Sequence, residues 1–373
     1  MTHNKIKIPT LKTPLYFKIF ANRDKFNVDL FWSIICFGIS GVIGILINII
    51  IIKYYGTESL GVFNLVYAIY LLLSQVATLG IHMSVQRYVP QFFDDKKVRD
   101  IVVTSAIVTT LIISSTITLI CYFFRQIPGE LFNNKDISTG FLLVLPGLIF
   151  FSLNKVELSF LNGYRLIRSF AVFQALRYFL MLLILFALIF FGFNRNTIPL
   201  TLTGTEIILF ISISIYSAKY WKLSVASGFI NWSRTHIVFG SRVSIGNMLF
   251  DLNTRVDVLV LGFFTDEKIV GIYSFAASMA DGFNQLTVVL RNNINPILTK
   301  CYFKKGINVL ERLIKKIKNN FYKIIFVLGF AAVFIFPLVI KILGLDEELS
   351  GSWLVFSTKR PRSCWRVRRD GST

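Results

Sequence analysis

The first long apolar run of the chain covers residues 31–52 and reads FWSIICFGISGVIGILINIIII. A helix needs about 20 predominantly apolar residues to cross the hydrocarbon core of a bilayer, and this run contains no charged residue. Backbone amides in lipid must bond within their own segment, so a run of this length has to be helical. The stretch predicts a first membrane span over residues 30–52, preceded by a Lys-rich segment at residues 1–29.

The same criterion finds further spans downstream. They cover residues 61–82, 100–124, 137–158, 169–193, 198–218, 237–261, 269–290 and 321–343, and another apolar run begins at Trp353. Hydrophobic residues make up 54% of the 373 residues and charged residues only 16%, whereas a soluble domain carries about 25% charge. The sequence predicts an all-α, polytopic integral membrane protein of nine to ten spans, and it excludes a soluble or disordered protein.

The charges are strongly unbalanced, with 40 Lys and Arg against 20 Asp and Glu. Such an excess can indicate nucleic acid, but here the basic residues cluster in alternate loops between apolar runs. Loops rich in Lys and Arg are typically cytoplasmic, which predicts a multi-pass membrane protein with its N-terminus in the cytoplasm. Apolar residues at helical spacing in the richest loop, between Leu310 and Phe321, predict an amphipathic helix on anionic lipids. A solvated basic linker is the alternative.

An internal repeat divides the chain. Residues 256–267 resemble residues 47–58 at an offset of 209, and after one inserted residue Gly61 corresponds to Gly271 and Gln75 to Gln285. Parallel repeats of this kind are typical of transporters whose two bundles enclose the substrate path. The predicted organisation is a basic N-terminus (1–29), a six-helix first bundle (30–218), a cytoplasmic linker (219–236), an incomplete second bundle (237–356) and a tail (357–373).

The tail differs in character from the rest of the chain. Residues 357–373 contain six basic residues and cut off an apolar run at Phe356. We expect this tail to be the aberrant product of a frameshift or artefact near Ser357, with the second bundle about three spans short of the first. A genuine basic segment at the membrane surface is the alternative.

Several segments carry a family resemblance. Residues 54–66, YYGTESLGVFNLV, followed by 78–80 and 86–90, TLG and QRYVP, resemble the opening of Wzx-type O-antigen flippases. These proteins belong to the multidrug/oligosaccharidyl-lipid/polysaccharide exporter superfamily, and FLNGYR at 160–165 and YSFA at 273–276 resemble it too. The likeness extends from residue 30 to about 345.

The resemblance implies two helix bundles around a central cavity and a transporter, not an enzyme. The expected activity is translocation of undecaprenyl-diphosphate-linked oligosaccharide repeat units for O-antigen and other lipopolysaccharide or surface polysaccharide biosynthesis, by alternating access. The implied partners are that lipid-linked substrate, membrane lipids and the polysaccharide polymerase machinery, with no nucleic acid.

A polar stripe in the seventh predicted span contains Asn247, Asp251 and Arg255 at spacings of four. Ionisable groups at membrane depth usually face a bundle interior or a wet cavity. We therefore predict that Arg255 faces the cavity and attracts the diphosphate, with Asp251 pairing with it when the cavity is empty. A salt bridge between helices, without a ligand, is the alternative.

Polar stripes also occur in predicted spans two and eight, at corresponding positions of the two repeats. A substrate path shared by the two repeats requires such a match. Hydrogen bonds between helices are the alternative for their uncharged members. The predicted path residues are Arg255, Asp251, Asn247, Asp281, Gln285, Gln75 and Asn64.

Other ionisable residues lie near the ends of spans or within them. Arg87, Arg291 and Arg177 are candidates for capturing phosphate where the substrate enters, although each could instead extend to lipid head groups. Glu157 and Glu206 are candidates for carrying a coupling proton.

Motifs for other chemistries are missing from the sequence. It has no GxxxxGK[ST] loop, no HExxH and no CxxC among its four cysteines, so no cofactor, metal site or disulfide framework is predicted. A multidrug cation antiporter of the same superfamily, which predicts an acidic cavity, is one alternative function. An integral-membrane polysaccharide polymerase or ligase is another, although the predicted outer loops are short for binding and activating sugars.

Overall fold

The computed structural model describes residues 23–279 together with residues 311, 314 and 315. Its regular elements in this part of the chain are all helical, with 3-10 turns at Val89–Phe92 and Arg195–Thr197. The helices are α1 (Arg23–Tyr55), α2 (Thr57–Thr78), α3 (Ile81–Tyr88), α4 (Lys96–Phe123), α5 (Ile127–Leu131), α6 (Lys135–Gly163), α7 (Ile167–Phe190), α8 (Leu200–Ser217), α9 (Phe229–Phe264) and α10 (residues 267–279).

Six of these helices are long and apolar enough to cross a membrane, counted over the described residues alone. They are α1, α2, α4, α6, α7 and the segment Arg195–Ser217, which contains α8. The predicted class, an all-α polytopic membrane protein, is confirmed. The predicted span 321–343 and the tail at 357–373 lie outside the described residues.

Two boundaries differ from the sequence expectation. The run at 61–82 is one apolar stretch, yet α2 ends at Thr78 because Leu79 and Gly80 adopt left-handed φ angles of 45° and 65°. Helix α9 begins at Phe229, inside the segment predicted to be linker, after Gly228 with φ 103°. The length of an apolar run does not reveal a left-handed break inside the run. It also does not reveal that a helix begins before the run, in more polar sequence.

Helix α6 lies at the centre of the first six predicted spans and packs against α2, α3, α4 and α8, while α1 packs against α7. Polar side chains reach across these contacts: Tyr70 Oη donates to the Gly147 carbonyl at 3.1 Å, and Thr203 Oγ1 donates to the Leu143 carbonyl at 2.6 Å. Because lipid offers no competing hydrogen-bond partners, such bonds help to fix the register of the helices.

Helices α9 and α10 belong to the predicted second bundle. Helix α9 packs against α2, α3 and α4, and a buried apolar cluster that includes Leu65 of α2 also contains Val258 and Phe275. The division into bundles at 30–218 and 237–356 stays a prediction, since much of the second range lies outside the described residues.

Candidate functional site

A cavity of about 420 Å³ lies among α1, α2, α6, α7 and α8 and is bordered by α9 and α10. Aromatic rings and amide side chains form much of its wall. The aromatic members are Phe37, Phe63, Tyr67, Tyr70, Phe151 and Tyr178, and the amides are Asn48, Asn64 and Gln174. Among the described residues, its ionisable members besides the tyrosines are Arg177, Glu206 and Arg255.

Arg177 of α7 and Glu206 of α8 form a buried ion pair in the cavity wall. Arg177 Nε lies 2.9 Å from Glu206 Oε1, and Arg177 Nη2 donates to Oε2 at 3.3 Å. The two side chains are only 14% and 4% exposed. The Nη2 contact is a hydrogen bond, whereas the short Nε contact is an ionic one without hydrogen-bond geometry. Charge attraction at close range therefore holds the pair together.

Neutral side chains hold both members of the pair. Asn154 Nδ2 donates to Glu206 Oε2 at 2.8 Å and to the Glu206 carbonyl at 2.9 Å. Arg177 Nη1 donates to Gln174 Oε1 at 3.1 Å, and its guanidinium carbon lies 4.9 Å from the centre of the Phe151 ring. The carboxylate is therefore held to α6, while the arginine is held by its own helix and by an aromatic face.

Arg255 of α9 also lines the cavity, with its guanidinium carbon 5.4 Å from the centre of the Tyr67 ring. The ion pairs found over the described residues join Arg177 to Glu206 and Arg195 to Glu58 and Asp136. Arg255 pairs with none of these three carboxylates. Its predicted partner Asp251 has a side chain outside the described residues.

Three more of the predicted residues lie in helices α2 and α6. Asn64 lines the cavity, although its amide donates to the Leu60 carbonyl at 3.0 Å within α2. Gln75 is buried further along α2. Glu157 is buried in α6 and accepts a hydrogen bond from Ser214 Oγ at 2.9 Å.

Arg87 lies on the surface, away from this cavity. It is exposed, and its guanidinium carbon lies 4.8 Å from the ring centre of Phe239 and 5.5 Å from that of Tyr88. Asn247 is in α9, but its side chain falls outside the described residues, as do Asp281, Gln285 and Arg291 altogether. The roles predicted for all of these residues stay predictions.

Sequence reasoning missed Asn154, Gln174 and Tyr178. Gln174 precedes Arg177 by three residues, so helical spacing could have associated them. Asn154 is an amide near the end of an apolar run, directly before Lys155, which is a weak signal of an interior position. Arg177 lies in the cavity wall, and its predicted role in capturing phosphate stays a prediction.

The arrangement of helices is similar to that of solved membrane transporters. The eukaryotic MATE transporter AtDTX14 aligns with 90% of this chain and 79% of its own, with a TM-score of 0.61 and 12% identity. An outward-facing multidrug resistance MATE family transporter of the MOP superfamily aligns over 88% and 79%, with a TM-score of 0.56 and 15% identity. A MOP superfamily transporter from Pyrococcus furiosus aligns over 88% and 75%, with a TM-score of 0.51 and 16% identity.

These likenesses define the class of the protein, a multi-pass membrane transporter fold. The sequence itself then narrows the class, since residues 28–303 match the family described as "Polysaccharide biosynthesis protein". The chain belongs to this family, and the resemblance to polysaccharide exporters is confirmed. Among curated proteins, none matches the sequence at a significant level.

Proposed function

We propose that the chain translocates undecaprenyl-diphosphate-linked oligosaccharide repeat units across the bacterial inner membrane by alternating access. The observation that supports this most is the pair of guanidinium groups, Arg177 and Arg255, in one intramembrane cavity. A diphosphate is a compact, multiply charged anion, and guanidinium groups match its oxygens in both charge and geometry. Membership of the polysaccharide biosynthesis family supports the same substrate class.

The charge balance of the cavity residues that the structure describes favours an anionic ligand over a cationic drug. The two arginines contribute two positive charges and Glu206 one negative charge, which leaves an excess of one positive charge among the described lining residues. A cation would meet net repulsion in this low-dielectric setting, where charges interact more strongly than in water. The multidrug cation antiporter is therefore the weaker hypothesis.

The remaining wall suits a sugar. Amide groups of Asn48 and Gln174 can exchange hydrogen bonds with hydroxyls, and the rings of Tyr67 and Tyr178 offer flat apolar faces to the C–H side of a pyranose. A volume of about 420 Å³ lies within the ~300–1,000 Å³ typical of small-molecule sites. The lipid tail would stay in the bilayer, because transferring it into water costs free energy.

The location and partners follow from the same proposal. The alternation of basic loops supports insertion in the inner membrane with the N-terminus in the cytoplasm. The substrate would then be loaded from the cytoplasmic leaflet and delivered to the outer leaflet, where a polysaccharide polymerase would use it. A polymerase or ligase activity of this chain itself is less favoured, because the fold is that of transporters.

The proposal is tested in a strain that lacks the gene, by measuring lipid-linked oligosaccharide at the outer surface of the inner membrane. The full-length protein should restore it, Arg255→Ala should reduce it at least tenfold, and Arg195→Ala should not change it. Arg195 is a suitable control because it pairs with Glu58 and is 49% exposed.

Two outcomes would contradict the proposal. If lipid-linked units reach the outer surface without the gene, the chain is not their transporter. If they reach it but stay unpolymerised, the polymerase alternative is correct. Normal transport by Arg255→Ala would remove the ligand role of that residue alone.

A further inference from the structure

We propose that the loop between α8 and α9, residues 218–228, anchors the protein to the adjacent membrane surface by binding anionic lipid head groups. The inference is independent of the proposed function, because its partner is the bilayer itself and the loop contributes none of the described residues of the cavity wall. The loop presents aliphatic side chains on its outer surface, where Leu223 is 76% exposed and Val225 is 79% exposed. Ile230, in the first turn of α9, is 80% exposed.

Contacts with the first bundle fix the conformation of this loop. The backbone N–H of Ser224 donates to Thr104 Oγ1 of α4 at 3.0 Å, and the Tyr220 carbonyl accepts from Arg99 Nη2 of the same helix at 2.9 Å. Trp221 is buried in an apolar cluster between these two contacts. The loop is therefore held to the helices at three successive points, and the outward position of its aliphatic side chains is part of the folded structure.

The backbone of the loop indicates its depth in the membrane. Residues 221–226 form neither helix nor strand, and backbone groups without regular hydrogen bonds are not tolerated in contact with the hydrocarbon core. The loop also directly follows α8, which belongs to a segment long and apolar enough to cross the membrane. It therefore lies at the interface, where water and head groups can satisfy its backbone and its aliphatic side chains can reach the acyl chains.

The charges around the loop are all positive. Lys219, Lys222 and Arg234 are exposed, and none of them joins an ion pair within the part of the chain that the structure describes. The sequence between residues 207 and 250 contains four basic residues and no Asp or Glu. Because anionic head groups attract basic residues near the membrane surface, this surface is complementary to a leaflet that contains anionic lipid.

The combination of basic and aliphatic side chains favours a lipid over a soluble anion. Binding to a membrane surface combines the burial of apolar side chains at the acyl boundary with the attraction of positive charges to anionic head groups. A free phosphate would satisfy only the lysines and would leave Leu223 and Val225 in water. An anionic lipid surface engages both kinds of side chain, and it would hold the connection between α8 and α9 at one depth in the bilayer.

The test measures which lipid lies next to the loop. The purified full chain, with its four native cysteines replaced by serine, carries a bimane fluorophore on Leu223→Cys and is placed in phosphatidylcholine nanodiscs. A nitroxide quencher on the acyl chain near the head group is supplied on phosphatidylglycerol or on phosphatidylcholine, at equal mole fraction. We expect the phosphatidylglycerol quencher to associate about fivefold more strongly for each lysine that contacts it, and this preference to decrease at high salt.

Two double variants assign the preference to the loop. Lys219→Gln combined with Lys222→Gln should reduce the preference for phosphatidylglycerol at least about fivefold. Lys96→Gln combined with Lys97→Gln is the matched control, because these two lysines are also exposed but directly follow two aspartates in the sequence. The control should keep the wild-type preference. The same label on Val225→Cys reports on the same surface, so the test does not depend on the folding of one labelled variant.

Four outcomes would overturn the inference. Equal quenching by the two lipids would mean that the loop does not select anionic head groups. Quenching by acrylamide from the water, but by neither lipid, would mean that the loop projects away from the membrane. A label shielded from all three quenchers would mean that a second copy or another protein surface covers the loop. An equal loss of preference in the two double variants would mean that the charge of the whole protein attracts the lipid.

Discussion

Gly61 and Gly271 each pack directly against the first residue of the other's helix. Gly61 lies four residues after the start of α2 and meets the carbonyl oxygen of Glu267, while Gly271 lies four residues after the start of α10 and meets that of Thr57. The two glycines are also equivalent positions of the internal repeat. Reciprocal contacts of this kind are what a two-fold relation produces, so the two halves meet at corresponding points.

Replacing either glycine with alanine should destabilise the protein. An added Cβ would overlap the carbonyl oxygen across the contact, and overpacking of this kind costs about 1–3 kcal/mol. We expect Gly61→Ala and Gly271→Ala to lower the melting temperature in detergent by similar amounts. Gly38→Ala is the control, because nothing lies within 4 Å of its Cβ position and alanine favours a helix. Equal stability of all three variants would show that the contact is absent in the protein.

The opposite end of α2 provides a second contact between the halves. Gly80, with φ 65°, packs against the backbone of Gly240 in α9. An alanine at position 80 would have to adopt a left-handed conformation and would also overlap the Gly240 backbone. An alanine at position 192, with φ 68° and nothing within 4 Å, would have only the unfavourable conformation. Gly80→Ala should therefore melt at a lower temperature than Gly192→Ala. Its free energy of unfolding should be lower than that of Gly192→Ala by about 1–3 kcal/mol. A similar loss of stability in the two variants would mean that α9 does not contact Gly80 in the protein.

A buried histidine joins three helices near this second contact. His236 Nδ1 lies 2.8 Å from Ser84 Oγ of α3, and Nε2 lies 3.0 Å from the Val102 carbonyl of α4. His236→Phe keeps an aromatic side chain but removes the partner of Ser84 Oγ, while the Val102 carbonyl still accepts from Ser105 Oγ. The substitution should therefore cost about 1–3 kcal/mol for the one buried group left without its bond. Ser84→Ala removes one bond and should cost less. Thermal unfolding of the two variants checks this order, and the reverse order would contradict the assigned contacts.

The sequence predicted the helices well where apolar runs are long. A run of about 20 apolar residues has one stable conformation in lipid, and the predicted spans at 100–124 and 137–158 coincide closely with α4 and α6. The break at Leu79–Gly80 was missed because both residues are compatible with an apolar helix. Gly80 is a residue type that often ends a helix in the left-handed conformation, and it packs against Gly240.

The candidate site was predicted in part. Arg255 was expected in the cavity because an arginine within a span needs a polar environment, and it lines the cavity. The partner of Arg177 could not be predicted, because Glu206 follows it by 29 residues and lies on another helix. Periodicity relates residues within one helix, whereas contacts between helices depend on packing and rotation.

The energetics of the buried pair can be separated from its role in binding by a double-mutant cycle. Arg177→Met leaves Glu206 buried without its cation and should cost about 3–5 kcal/mol. Adding Glu206→Gln removes the stranded charge, so the double variant should be more stable than Arg177→Met alone. The matched cycle on Arg195 and Glu58, which are 49% and 50% exposed, should give a coupling energy of only about 0–1 kcal/mol.

Denaturation of the four variants in each cycle, in one detergent and at one pH, gives both coupling energies. The difference between the cycles arises because water screens the exposed pair and not the buried one. A coupling energy for Arg177 and Glu206 no larger than that of the surface pair would mean that water reaches the carboxylate freely. The Arg177–Glu206 pair would then contribute no more to stability than an ion pair at the surface.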